Sequence, residues 1–332
     1  MTKEKKLYSP NLLSGGQDYI KKELEFFDAN YDCFNKIIRK ISFFLHIFYW
    51  QFIFKIFRGL DIALKERTGL PFYIHENKIE IEITSKCNMK CTQCDRSCTQ
   101  AATDEHMSLE QIRHFIRESV RTGKKWAFIV IIGGEPTLHF DIFEIANMLI
   151  QYKLTFSPNT KITISTNGAS QETMKILETL PSVIHQENSN KKSSSHIHFD
   201  TYNVAPADVE KYQSDEINFA KGCNIISLSG TALTRYGYYA CGAGASVDRV
   251  FGLDIGIKRI EDRSERAFRR QMKTLCKYCG HFKNKQDDTY SLDEISPIWQ
   301  IAYENYAVKS PELTLYGTKG VKEIRNESPA YK

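Results

Sequence analysis

An α/β fold on a parallel sheet is what this sequence predicts, on three observations: strand-like segments alternate with helix-like ones, one strand is a continuous apolar run, and the strands end in small or polar loops. The first strand starts at Lys78, where Ile79, Ile81 and Ile83 alternate with Glu80, Glu82 and Thr84, a period of two that predicts one buried face. A cysteine loop follows at once. Met107 to Gly123 reads as a helix, with Ser108 and Gln111 placed as a capping box and Gly123 at its end. The next strand, Ala127 to Ile132, is apolar throughout, as expected of a parallel strand covered on both faces, and it stops at Gly133. Phe140 to Lys153 reads as helix, Lys161 to Thr166 as strand ending in Asn167-Gly168, and Gln171 to Leu180 as helix. Weaker strands are predicted near Val183 and at His196 to Tyr202, separated by the polar tract Asn188 to Ser195. Leu292 to Tyr306 reads as a last helix before a polar tail.

The chain of 332 residues is long enough for about two domains plus extensions. Residues 1–72 are expected to be a helical extension, 73–215 the sheet domain, 216–290 a second cysteine module and 291–332 a helix and tail. At 42% hydrophobic and 26% charged residues, neither wholesale disorder nor a multi-span membrane protein is indicated. The net charge of +5 is spread over 45 basic and 40 acidic side chains with no basic stripe interleaved with aromatics, so no nucleic-acid partner is expected.

The run from Ile41 to Phe57 is apolar nearly all round and bracketed by Lys36, Arg39, Lys40 and Arg58. A membrane span needs about 20 apolar residues. This run is shorter and is interrupted by His46, Gln51 and Lys55. Three readings stay open: a buried helix packed on the sheet domain, an interfacial helix whose cations snorkel, with peripheral membrane contact through residues 36–58, and a true span. Nine cysteines and a polar start at Met1-Thr2-Lys3-Glu4 fit a reducing cytoplasm, where clustered thiols are more often metal ligands or redox groups than disulfides.

Cys87, Cys91 and Cys94 put three thiols in one CxxxCxxC loop. A cubane of four irons takes one thiolate per iron, so three leave one iron open to a small molecule. A zinc knuckle completed by Cys98 is the structural alternative. Gly133-Gly134-Glu135-Pro136 lies at the C-terminal edge of the sheet, where ligands of such folds bind, and its carboxylate could grip an ammonium group. Ser165 and Asn167 put a hydroxyl and an amide on the same edge; a turn or helix cap would use them equally well.

With these three loops in this order, residues 79 to 203 resemble the radical S-adenosylmethionine superfamily. The resemblance implies an abbreviated partial (β/α) barrel, with Cys87, Cys91 and Cys94 holding a 4Fe-4S cluster whose fourth iron chelates S-adenosyl-L-methionine. It also implies that Gly133, Gly134, Glu135 and Pro136 hold the methionine end and that Ser165 and Asn167 lie near its carboxylate or ribose. A one-electron reductant such as flavodoxin or ferredoxin would then be a partner. The family usually has an aromatic residue before the third cysteine; this chain has Gln93.

Cys223, Cys241, Cys276 and Cys279 supply a second set of four thiols, closing in a CxxC pair. Zinc would accept them, with His281 as a substitute ligand, and so would a second 4Fe-4S cluster. Residues 222 to 281 resemble the twitch and SPASM auxiliary-cluster modules of the same superfamily, which implies an auxiliary cluster and an oxidoreductase capable of net oxidation. The expected substrate is small or lipid-linked. A ribosomally made precursor peptide is the alternative, and a non-catalytic zinc- or cluster-binding regulatory protein is the reading from another class.

Overall fold

The computed structural model describes residues 55–191, 201–283 and 294–317, and the chain divides into two units, Met1–Leu70 and Pro71–Lys332. Of the first unit, helix α1 (Lys55–Thr68) is described; it ends at Gly69, whose φ of 68° suits a residue without a Cβ. The apolar run up to residue 54 lies outside the described residues. Among those described, no helix is long and apolar enough to cross a membrane.

In the second unit the strands are β1 (Lys78–Thr84), β2 (Phe128–Gly133), β3 (Lys161–Thr166), β4 (Ile184–Asn188), β5 (Thr231–Thr234) and β6 (Gly237–Tyr239). They form one six-stranded sheet of order β4-β3-β2-β1-β5-β6. β1 to β4 are parallel neighbours joined by α2 (Leu109–Arg121), α3 (Ile142–Thr155) and α4 (Gln171–Thr179). β5 adds in parallel to the other edge of β1, and β6 returns antiparallel, so the chain before and after residue 215 shares one sheet. After β4 come α5 (Asn224–Leu228), α6 (Gly242–Phe251), α7 (Glu265–Leu275) and α8 (Pro297–Val308).

The register lines up two transverse rows of side chains on one face: Thr231, Ile79, Ile129, Ile162 and Ile184, then Leu233, Ile81, Ile131 and Ile164. All are buried, and each isoleucine contributes roughly 1.5–3 kcal/mol by leaving water. The capping box of α2 forms as predicted, Gln111 N donating to Ser108 Oγ at 3.2 Å and Ser108 N to Gln111 Oε1 at 3.0 Å.

The expectation of one buried face on β1 is corrected. Ile79 to Thr84 are all buried, because the face carrying Glu80 and Glu82 is covered by Arg96 from the cysteine loop. Two carboxylates alternating with isoleucines read as a solvent face only when the cation that covers them is unknown. The strand expected at His196 to Tyr202 lies outside the described residues up to position 200, and Tyr202 sits in a turn.

Candidate active site and thiol centres

The first cysteine loop leaves β1 and is held to its neighbours by backbone contact. Gly134 N donates to Thr84 O and Glu135 N to Lys86 O, both at 2.8 Å. A Cβ on Gly133 would strike Thr84 O, and one on Gly134 would strike Lys86 O and the Cys87 Cβ. The two glycines therefore serve the approach of this loop to the cysteine loop.

Glu135 is fully buried, and its carboxylate is engaged within the protein. It accepts from Thr137 N (3.2 Å), Thr137 Oγ1 (2.9 Å), Thr166 Oγ1 (2.8 and 2.9 Å to the two oxygens) and Asn167 N (2.8 Å). It thus ties the end of β2 to the end of β3, where the sequence suggested an ammonium grip. Pro136 opens a 3-10 turn, Pro136–Leu138, which Glu135 caps. Asn167 closes the ring: its Nδ2 donates to Asn88 Oδ1 at 2.8 Å, beside Cys87, and its Oδ1 accepts from Ala169 N. Ser165 is half-buried on β3, and its hydroxyl makes no hydrogen bond among the described residues.

Cys87, Cys91 and Cys94 come together at this edge. Burial pushes the Cys87 thiol up to about 11, with charge on Cys94, Cys91 and Glu135 adding to the rise. Cys98 lies against Cys94, toward whose sulfur its proton is directed, and its Sγ is 3.7 Å from Arg96 O, with Glu82 and Arg249 as further charged neighbours. That bond, joined by backbone donors, outweighs burial and holds Cys94 down to about 7. Gln93 is fully buried and acts as a staple, its Oε1 accepting from Asn203 N at 2.7 Å and its Nε2 donating to Glu294 O at 2.8 Å. The departure from an aromatic at this position follows from that double anchor.

The four later cysteines also converge. Burial raises Cys223 to about 12 and Cys241 to about 11 and lifts Cys276 and Cys279 well above the usual thiol range. Charge on Cys223, Cys241 and Cys276 raises Cys279 further. Backbone N–H groups point at several sulfurs: Gly244 N lies 3.3 Å from Cys241 Sγ, and Ile225, Ile226 and His281 donate to Cys223 and Cys279. Buried thiols that repel one another as anions and receive N–H donors suit a soft metal centre, whose charge offsets theirs. No group of three or more His, Cys, Asp or Glu among the described residues is arranged to hold a single metal ion. Without metal these thiols stay protonated in the folded chain beyond the pH at which unfolded cysteines ionise. The stability these four thiols contribute to the metal-free protein is therefore fully present below about pH 9 and is lost as pH rises toward about 11 to 12. Thermal melts of the metal-free protein at pH 8 and pH 10 check this, the melt at pH 10 being the lower.

Helix α6 ties the two thiol sets together. Cys241 is its N-cap; Ser246 Oγ donates to Ser97 Oγ at 2.9 Å; and Arg249 donates to the carbonyls of Arg96, Ser97 and Ala101 at 3.0 to 3.2 Å. Asp95, next to Cys94, meets His281, two residues past Cys279, at 3.8 Å. Burial alone would raise Asp95, but His281 and Arg96 hold it at about 2. Glu82 moves the opposite way, burial raising it despite Arg96. Sequence reasoning missed Arg96, Arg249 and Asn88; each follows or faces a cysteine segment, yet the partners lie as far as 153 positions away.

Among curated proteins, the chain is 29% identical over 87 residues to the "AdoMet-dependent heme synthase" of Methanosarcina barkeri, covering 26% of this chain and 23% of that protein. It is 32% identical over 96 residues to the "Probable GTP 3',8-cyclase" of Methanocaldococcus jannaschii, covering 29% of this chain and 30% of that protein. The alignments thus span less than a third of these relatives. Among solved structures, it is similar to BtrN in complex with AdoMet and 2-DOIA, at 15% identity and a TM-score of 0.38, covering 68% of this chain and all of that one. The model of the Radical SAM superfamily matches residues 81–185, from within β1 to the start of β4.

Proposed function

We propose that the protein is a radical S-adenosylmethionine enzyme that abstracts hydrogen from a small or lipid-linked substrate and completes a net oxidation with a second cluster. The observation that carries this reading is the grouping of Cys87, Cys91 and Cys94 with Glu135 at the C-terminal edge of the sheet. We assign these three thiols, without Cys98, to the cluster. A 4Fe-4S cluster held by these residues would supply the one-electron reduction that cleaves S-adenosylmethionine and starts hydrogen abstraction from substrate.

The chain's own residues orient and shield. Glu135, Thr166 and Asn167 fix the loops after β2 and β3 as one unit, and Asn88 joins that unit to the cysteine loop. Ser165 offers a hydroxyl beside them. Gln93 and Asn203 close the loop's other flank and keep water from it. The sheet from β1 to β4 is the part we assign to a partial barrel, and Cys223, Cys241, Cys276 and Cys279 are assigned to a fully protein-ligated auxiliary cluster. The test is anaerobic incubation of reconstituted protein with S-adenosylmethionine and reduced flavodoxin. Formation of 5′-deoxyadenosine supports the reading; zinc without iron, or iron without cleavage, contradicts it.

A further inference from the structure

Arg96 is a buried cation between the two thiol sets, and its hydrogen bonds do not use all of its donors. Nη2 donates to Glu80 at 2.6 Å; Nη1 faces Glu82 at 3.6 Å and Nε faces Asp95 at 3.9 Å. Nη1 has no hydrogen-bond partner, although the side chain is only 9% exposed. On its far side the guanidinium lies against Gly242, the residue after Cys241, so closely that a Cβ there would fall on Nη1. Gly242 has no left-handed backbone to explain its identity; only the guanidinium requires a glycine.

We infer that Arg96 is a positioning residue that links the two centres: anchored two residues after Cys94, it presents its charge and its spare N–H to the Cys241 side and makes the second centre easier to reduce. This rests on the second thiol set taking a 4Fe-4S cluster. With four thiolates such a cluster is anionic, and reduction adds one more negative charge, so a buried cation and an N–H donor at its edge favour the reduced state. The Coulombic pull of Arg96 on Cys241 has the same sign and is larger than the opposing push of either Glu80 or Asp95. The carboxylates of Glu80 and Glu82 hold the guanidinium in place. α6 fixes the other end of the arrangement, because Arg249 grips the carbonyl of Arg96 itself.

The experiment is a redox titration followed by electron paramagnetic resonance on the reconstituted full chain, its Arg96→Met variant and its Gly242→Ala variant. Both variants are expected to shift the second centre at least tenfold toward the oxidised state, which is about 59 mV or more in midpoint for one electron. Gly242→Ala decides the matter if Arg96→Met does not fold, since it moves the guanidinium and leaves the charge in the protein. An unchanged midpoint in Gly242→Ala with full iron content overturns the inference while leaving the two-cluster reading intact. About four irons in the parent protein, all on the first set, overturns the two-cluster reading and this inference with it.

Discussion

Cys91→Ala protein, reconstituted without oxygen, forms 5′-deoxyadenosine no faster than buffer and holds about four fewer irons than the parent. The loop supplies three thiols, so one substitution leaves two, too few to retain the cube. The same assay on Cys98→Ala keeps both the iron and most of the cleavage, because Cys98 serves the Cys94 sulfur as a neighbour and faces Glu82 and Arg249. Equal loss in both variants would mean that Cys98 is a ligand and that no iron is open.

The second large effect is one of stability. Glu135→Ala strips the acceptor from the donors on Thr137, Thr166 and Asn167 in a fully buried site. Stranding charge-assisted donors of this kind costs about 3–5 kcal/mol. Denaturant unfolding of the metal-free protein reads this directly. Glu135→Gln keeps the shape and costs less, about 1–3 kcal/mol, since its amide nitrogen meets donors where an oxygen stood. A loss below about 1 kcal/mol in the alanine variant would show that the carboxylate does not brace these loops.

Much of the sheet was legible because parallel strands and their crossover helices carry local signals. The apolar run of β2, the Ser108 and Gln111 box and the stop at Gly133 all fall within a few residues of where the structure has them. The first cysteine loop and the Cys276-Cys279 pair stand out by their short spacings, whereas Cys223 and Cys241 carry no local spacing signal. What could not be read was which groups face one another across the fold. Glu80 and Glu82 looked solvated because Arg96 covers them from 16 and 14 positions away, in a loop with no regular period. Glu135 looked available to a ligand because Thr166 and Asn167, which use its oxygens, arrive on another strand end 31 and 32 positions later. Gln93 looked like a missing aromatic, whereas its partners Asn203 and Glu294 come from segments with no sequence pattern. The pairing of β5 with β1 was equally hidden, since four residues of strand carry little periodicity.

The central claim is a cube held by Cys87, Cys91 and Cys94 with one iron left for a ligand. Electron paramagnetic resonance of the oxygen-free, dithionite-reduced protein with and without S-adenosylmethionine tests it most directly. The account predicts a reduced 4Fe-4S signal that changes on adding S-adenosylmethionine and is absent in Cys91→Ala; a signal indifferent to S-adenosylmethionine, or no cluster signal at all, would contradict it.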